Sequence, residues 1–470
     1  MNLRFRYPIV FGVLVLVLVG LLTKVGFAQG QTAPANLPSE STNRVLFENV
    51  QILDATSAQL SAPSNVLVVD NKIQQISTSP IAVPADLRTL RIDGGGRVLM
   101  PGLIDAHAHL FLEATPQEAL FSAGAGGDEV VQLVFQAATE NATRMLLNGF
   151  TSARDMAGPV FELKRLIDQG NLVGPRIWPS GAMISQTSGH GDFRSLEELP
   201  RTPTSELSLA EKYGVGAIAD GVDEVLRKTR EQLMLGATQI KLAAGGGVAS
   251  VYDPLDVSQY TEAEFRAAVE AAENWNTYVA VHAYTPRAVQ TAIRAGVKSI
   301  EHGQLIDEET ARLMAEQGVW LSMQPFLDDE DANPYPEGSE SRRKQLQVSE
   351  GTDTAYNLAK QYNIKTAWGT DILYSPEKAA LRGRLLTKMV RWYTPAEVLK
   401  MATKDNAELL ALSGPRNPYA GKLGVVEEDA LADLLLVSGN PLENIQLIEN
   451  PDQNFVVIMK DGKIYKNLLS

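Results

Sequence analysis

Hydrophobic positions along the chain fall into three regimes. From Val45 onward, short segments rich in Val, Ile and Leu (VLFENVQIL, NVLVVD, KIQQIS, TLRIDG) are separated by turn residues, a pattern that predicts antiparallel strands. The far end is alike: ADLLLVSG (432–439) and NFVVIMKDGKIYKN (454–467) are strand-like, with Asp461 and Gly462 forming a hairpin signal. Neither stretch can bury a core alone, so the two termini are expected to pair into one small β-sandwich, a composite of residues 44–99 and 416–470. Between them, apolar strands alternate with helical segments: GLIDAH (102–107), TSARD (151–155), RIWPSG (176–181), QIKLAA (239–244), YVAVHA (278–283), VKSIEH (297–302), VWLSMQ (319–324) and KTAWGTD (365–371). That alternation predicts an α/β domain over 100–415 with parallel strands, and eight units point to a closed (β/α)8 TIM-like barrel, a doubly wound open sheet being the alternative. Thr261 with Glu264 and Thr394 with Glu397 are capping boxes, and Pro286 and Pro395 suit first helical positions.

The start of the chain reads differently. Arg4 and Arg6 precede an apolar run from Ile9 to Leu22, and Gly26, Phe27 and Ala28 offer small-residue cleavage chemistry, so residues 1–28 are expected to be a signal peptide. The run falls short of the about 20 residues that a helix needs to cross a bilayer, which makes a retained anchor the lesser alternative. No cysteine follows it, which excludes a lipoprotein anchor. Residues 29–43, polar with Pro and Ser, are expected to be a flexible linker. A periplasmic or secreted protein with no stable membrane anchor after cleavage follows from this reading.

With 44% hydrophobic and 21% charged residues the chain has the makeup of a folded protein. Acids outnumber bases 56 to 42 and no Lys/Arg cluster offsets them, which argues against nucleic acid as a partner. Cysteine is absent, so disulfides, iron–sulfur clusters and thiol nucleophiles are excluded, and any metal must be held by nitrogen and oxygen.

The chain has five histidines: His107, His109, His190, His282 and His302. His107 and His109 lie two apart at the end of the first central strand, and period-two geometry sends both imidazoles to one face. His282 and His302 end the fifth and sixth strands. In a barrel these four meet at the C-terminal rim, where such folds keep their chemistry, together with Lys241 from the fourth strand and Asp371 from the eighth. A cavity holding imidazoles, a carboxylate and an amine costs desolvation energy unless ions organise it. A bare ammonium at Lys241 would be repelled there, whereas the neutral amine can take up carbon dioxide and become a carbamate able to bridge two cations.

These residues resemble the amidohydrolase superfamily, and within it the imidazolonepropionase-like and prolidase-like branch of metal-dependent hydrolases. The resemblance spans roughly residues 45–467 and rests on MPGLIDAHAHL (100–110), DGVDEV (220–225), ATQIKLAAGGG (237–247), VHAYTPRAV (281–289), SIEHG (299–303), GTD (369–371) and ADLLLVSGNPLENI (432–445) in that order. It implies a distorted (β/α)8 barrel with a β-sandwich built from both termini, and a binuclear centre. His107, His109 and Asp371 would hold the more buried ion, His282 and His302 the other, and carboxylated Lys241 would bridge them. Zinc is favoured for two divalent ions in such a hydrolytic site, though nitrogen and oxygen ligands alone do not choose the metal. The chain departs from the common branch pattern at Ala244, where many relatives carry threonine.

By the same resemblance, a hydroxide shared by the ions would attack a carbonyl. Asp371 would take its proton and pass it to the departing amine. Tyr284, two residues past His282 and so on the same side of the chain, is the candidate to steady the oxyanion, with packing at the strand mouth as the alternative. His190, in SGHGD (188–192), would line the substrate site and bind a terminal carboxylate. Arg342 and Arg343 are read as a solvated helix start. The leading expectation is hydrolysis of a peptide or peptide-like amide, a dipeptide or an N-acyl amino acid. The alternatives are a cyclic amide hydrolase of imidazolonepropionase or hydantoinase type, a lactonase or esterase, and a metal-bearing solute-binding barrel without turnover. The expected partner is a small molecule, with a homo-oligomer an open possibility.

Overall fold

The computed structural model describes residues 44–83, 88–115, 128–202 and 204–469. The signal peptide and linker expected over 1–43 lie outside the described residues. Among the described residues no helix is long and apolar enough to cross a membrane.

Five strands open the described chain: β1 (Arg44–Ile52), β2 (Ser64–Val69), β3 (Lys72–Ser77), β4 (Leu90–Asp93) and β5 (Val98–Pro101). The central part contributes β6 (Leu103–Ala108), β7 (Phe150–Asp155), β8 (Arg176–Pro179), β9 (Met183–Ser185), β10 (Gly216–Ile218), β11 (Ile240–Ala243), β12 (Val279–Ala283), β13 (Ser299–His302), β14 (Trp320–Met323) and β15 (Thr366–Trp368). The end of the chain adds β16 (Leu434–Val437), β17 (Phe455–Lys460) and β18 (Lys463–Asn467).

The first and last groups share one sheet, ordered β18-β17-β16-β5-β1-β2-β3, with β4 paired to β1. The join is the antiparallel pairing of β5 with β16, Met100 opposite Leu435. Not every neighbour is antiparallel, because β4 and β5 both run parallel to β1. The β17–β18 turn places Asp461 at φ 55° and Gly462 at φ 69°, the left-handed pair that a two-residue hairpin needs. Side chains from both ends of the sequence, among them Phe47, Val66, Leu99, Leu436 and Val457, are buried in one cluster.

The central strands are buried along their whole length, which is why they read as continuous apolar runs rather than alternating ones. They are parallel and form two sheets, β6-β7-β8 and β10-β9-β11-β12-β13-β14-β15. The short strands β9 and β10 were not among the eight expected. They arise within the long connection after β8, where Ile184 pairs beside Leu242. Hydrogen bonds join the sheets at two places: Asp371 N–H donates to His107 O at 2.8 Å, and Thr238 N–H donates to Pro179 O at 2.8 Å. Gly369 makes the first approach possible, since a Cβ there would lie 2.4 Å from the His107 nitrogen. Thr261 with Glu264 and Thr394 with Glu397 close their capping boxes, and Pro286 and Pro395 open their helices.

Candidate metal centre

His107 ends β6, and its backbone is set by a carboxylate below it. Asp105 Oδ1 accepts the His107 N–H at 3.1 Å and the Thr370 N–H at 3.0 Å, while Oδ2 accepts the Thr370 hydroxyl at 2.7 Å. One buried side chain therefore ties the end of β6 to the segment that carries Asp371. Asp371 itself stands at φ 49° and His302 at φ 80°, a left-handed region that residues with a Cβ avoid at a cost of about 1–3 kcal/mol. Strain at two candidate ligands is where a fold places function.

The imidazoles are held by their outer nitrogens. Glu301, fully buried on β13, accepts from His107 Nδ1 at 2.8 Å, from Arg154 Nη2 at 2.7 Å and from the Ser299 hydroxyl at 2.6 Å. Burial opposes its charge, but Arg154 and the His107 hydrogen bond hold its pKa well below the usual carboxylate range. An ionised carboxylate only accepts, so the His107 proton sits on Nδ1 and the Nε2 lone pair faces inward. His109 Nδ1 meets the Ala157 carbonyl at 3.3 Å, and His302 Nδ1 meets Gln324 Oε1 at 2.7 Å. Burial pushes the pKa of His107 and His282 well below the ordinary value and that of His302 down to about 4, so all three are neutral near pH 7.

Asp371 lies among them, with Oδ1 at 3.0 Å from His109 Nε2 and 3.4 Å from His107 Nε2, and Oδ2 at 3.9 Å from His302 Nδ1. Burial would raise its pKa, yet the surrounding imidazoles outweigh it and hold the carboxyl below its ordinary range. His107, His302 and Asp371 each offer a ligand atom within 4.8 Å of the others. His282 joins by ring contact, 4.4 Å from His302 between centroids, while its Nε2 lies 3.2 Å from the Gly246 carbonyl. Lys241, on β11, is 2% exposed. Burial lowers its pKa to about 8 against the opposing pull of Glu301 and Asp371. Its amine makes no hydrogen bond or ion pair with the described residues and faces the cavity instead. Lone pairs turned inward, an ionised carboxylate and an orphaned buried amine fit a site built for divalent cations.

These groups open on a cavity of about 420 Å³ whose outer walls include Leu112, Met183, Phe193, Phe326, Leu327 and Leu373. Tyr284 is 3% exposed, and its ring is 4.9 Å from His282 and 5.3 Å from His302. Its hydroxyl has no hydrogen-bond partner among the described residues. His190 also lines the cavity, stacked on His282 at 4.0 Å with Nδ1 turned to Ser250 Oγ at 2.6 Å. Arg342 pairs with Asp328 at 2.8 Å and Glu337 at 3.2 Å, and Arg343 with Glu340, so neither guanidinium is free for an acidic ligand. Ala244 is buried in the core beside this site. Its N–H donates to the His282 carbonyl at 2.8 Å.

Sequence reading missed Asp105, Arg154 and Glu301. The available signal was a charged residue inside an otherwise apolar strand, which burial makes costly unless a partner waits across the sheet. Arg154 shows this best, donating at once to the Ala106 carbonyl at 2.6 Å, to Tyr278 Oη at 3.1 Å and to Glu301. Arg154→Met is expected to cost about 3–5 kcal/mol in urea unfolding because it strands the Glu301 charge. A cost near zero would show that Glu301 does not depend on Arg154.

The amidohydrolase family profile matches residues 98–466. An ochratoxinase of Aspergillus niger is 33% identical over 427 residues, covering 85% of this chain and 82% of that protein. Among solved structures, an amidohydrolase superposes with a TM-score of 0.80 at 35% identity, over 91% of this chain and all of the other. A prolidase in complex with N-methylphosphonate-L-proline does so with a TM-score of 0.80 at 32% identity, over 90% of this chain and all of the other.

Proposed function

The chain belongs to the amidohydrolase family, and we propose that it is a secreted binuclear metal-dependent hydrolase of dipeptides or N-acyl amino acids. The observation that carries this reading is the unpartnered Lys241 amine in one cavity with Asp371 and all five imidazoles of the chain. The reading takes the two parallel sheets as one closed (β/α)8 barrel, in keeping with the hydrogen bonds from Asp371 to His107 and from Thr238 to Pro179. It takes the sheet shared by both termini as a composite β-sandwich domain.

His107, His109, His282, His302 and Asp371 would hold two divalent ions, zinc by preference, with Lys241 as a carbamate between them. Metal ions bound there acidify water to a nucleophile and polarise a carbonyl. What the chain's own groups do follows from their placement. Asp371, ionised and with Oδ1 3.0 Å from His109 Nε2, takes the proton of the attacking water and returns it to the departing amine nitrogen. Tyr284, with a hydroxyl no protein group engages, donates to the carbonyl oxygen as negative charge builds on it. His190 meets the carboxylate of the amino-acid half. The apolar outer walls take the acyl half and exclude water.

The complex of a structural relative with N-methylphosphonate-L-proline, which joins a tetrahedral phosphorus group to an amino acid, is in keeping with a linear acyl amino acid substrate. Metal-loaded protein assayed against dipeptides, N-acyl amino acids and cyclic amides is expected to turn over the linear amides. Turnover of cyclic amides alone would overturn the proposal.

A further inference from the structure

Lys344 follows Arg342 and Arg343 on a helix, Glu340–Gln361, yet it is 3% exposed. Its ammonium donates to three backbone carbonyls of one loop: Gly247 at 3.1 Å, Ser250 at 3.0 Å and Asp253 at 2.8 Å. Three donors meeting three acceptors satisfy a buried ammonium completely, so Lys344 ties the loop to the helix. The same loop turns its side chains to His190. Asp253 Oδ2 accepts the Gly247 N–H at 2.7 Å and the Ser250 hydroxyl at 2.8 Å, and lies 3.3 Å from His190 Nδ1. Gly247 lies against the imidazole so closely that a Cβ there would fall 2.0 Å from His190 Nδ1.

We infer that Lys344 is a positioning residue for His190: by pinning the 247–253 loop it fixes Ser250 and Asp253 against Nδ1, leaving Nε2 as the nitrogen that meets a ligand. Glycines flank His190, and its backbone is anchored by Ser188, whose hydroxyl donates to the Tyr252 carbonyl at 2.9 Å, so the rotation of the ring itself is set by the His282 stack and by Ser250 and Asp253. Without the clamp the imidazole keeps its stack on His282 but loses its rotational setting. The loop and helix also line the cavity, through Val248 and Ala249 on one and Gln345 and Val348 on the other, so the clamp joins two walls of the pocket.

The kinetic arm of the test rests on the proposed reading of His190 as the carboxylate-binding group; the spectroscopic arm does not. Lys344→Met keeps the stem and removes all three donors. In metal-loaded full-length protein it is expected to raise KM for an N-acyl amino acid roughly tenfold with kcat nearly unchanged, the pattern of lost uniform binding. In a His190→Asn background the same substitution should add little. An equal rise in KM in both backgrounds would overturn the proposal. With five histidines in the chain, the His190 Nδ1–H proton is assignable in ¹⁵N-histidine spectra by its disappearance in His190→Asn. It should exchange slowly in the native protein and rapidly in Lys344→Met and in the milder Ser250→Ala. Unchanged protection in these variants overturns the proposal even if no amide is hydrolysed. Should Lys344→Met fail to fold, Lys344→Gln, whose shorter side chain cannot serve all three carbonyls, decides by the same two readings.

Discussion

Asp371→Asn is expected to retain its metal and lose roughly 10²–10⁴-fold in kcat. The substitution keeps the shape of the side chain and an oxygen that can still meet the His109 and His107 imidazoles, now 3.0 and 3.4 Å from the carboxylate. What it removes is the capacity to accept a proton. His107, His282 and His302 are neutral, but their outer nitrogens are committed elsewhere, to Glu301, to backbone and to Gln324, and their inner lone pairs are the natural claim of a cation. Metal content measured beside kcat separates the two roles: full loading with lost turnover supports Asp371 as the base, and undiminished hydrolysis removes it from that role. If loading falls in step with kcat, the side chain is a ligand first and its part in proton transfer is not supported.

The strands of the centre were legible because a parallel strand buried on both faces is a short continuous apolar run, and β6, β7, β12 and β13 have that character end to end. Four of the five histidines, His107, His109, His282 and His302, were legible for a related reason, since each stands where such a run stops. Less could be read of what holds them. Arg154 and Glu301 face each other across 147 positions of sequence, and nothing local to either announces the other. Lys344 ends a stretch that runs from acidic to basic, in which Arg342 pairs with Asp328 and Arg343 with Glu340, and its burial depends on where a loop some 90 positions earlier comes to rest. The strands β9 and β10 escaped because three-residue strands inside a long, polar connection carry too little hydrophobic pattern to register. Pairing across space, rather than composition along the chain, decided each of these.

Lys241→Ala is expected to strip the protein of much of its metal and with it nearly all activity, and to be partly restored by millimolar formate or acetate. The argument begins with the amine. Burial lowers its pKa to about 8, so near that pH a large fraction is uncharged and nucleophilic. A neutral amine adds to carbon dioxide, forming a carbon–nitrogen bond and releasing one proton. The product exchanges an orphaned donor for two anionic oxygens in a cavity already shaped by His107, His282, His302 and Asp371. Charge favours it: two divalent ions beside an ammonium repel, whereas the carbamate neutralises part of their charge. Alanine removes the oxygens and leaves room, and a small carboxylate diffusing into that room supplies the same two oxygens without the tether. Metal per chain and hydrolysis, each with and without formate, test the idea together with a carbamate signal in ¹³C spectra after growth or incubation with labelled bicarbonate. A Lys241→Ala protein that still holds two ions per chain would refute the bridge, and loss of metal with no carbamate signal in the native protein would leave Lys241 acting through its amine alone.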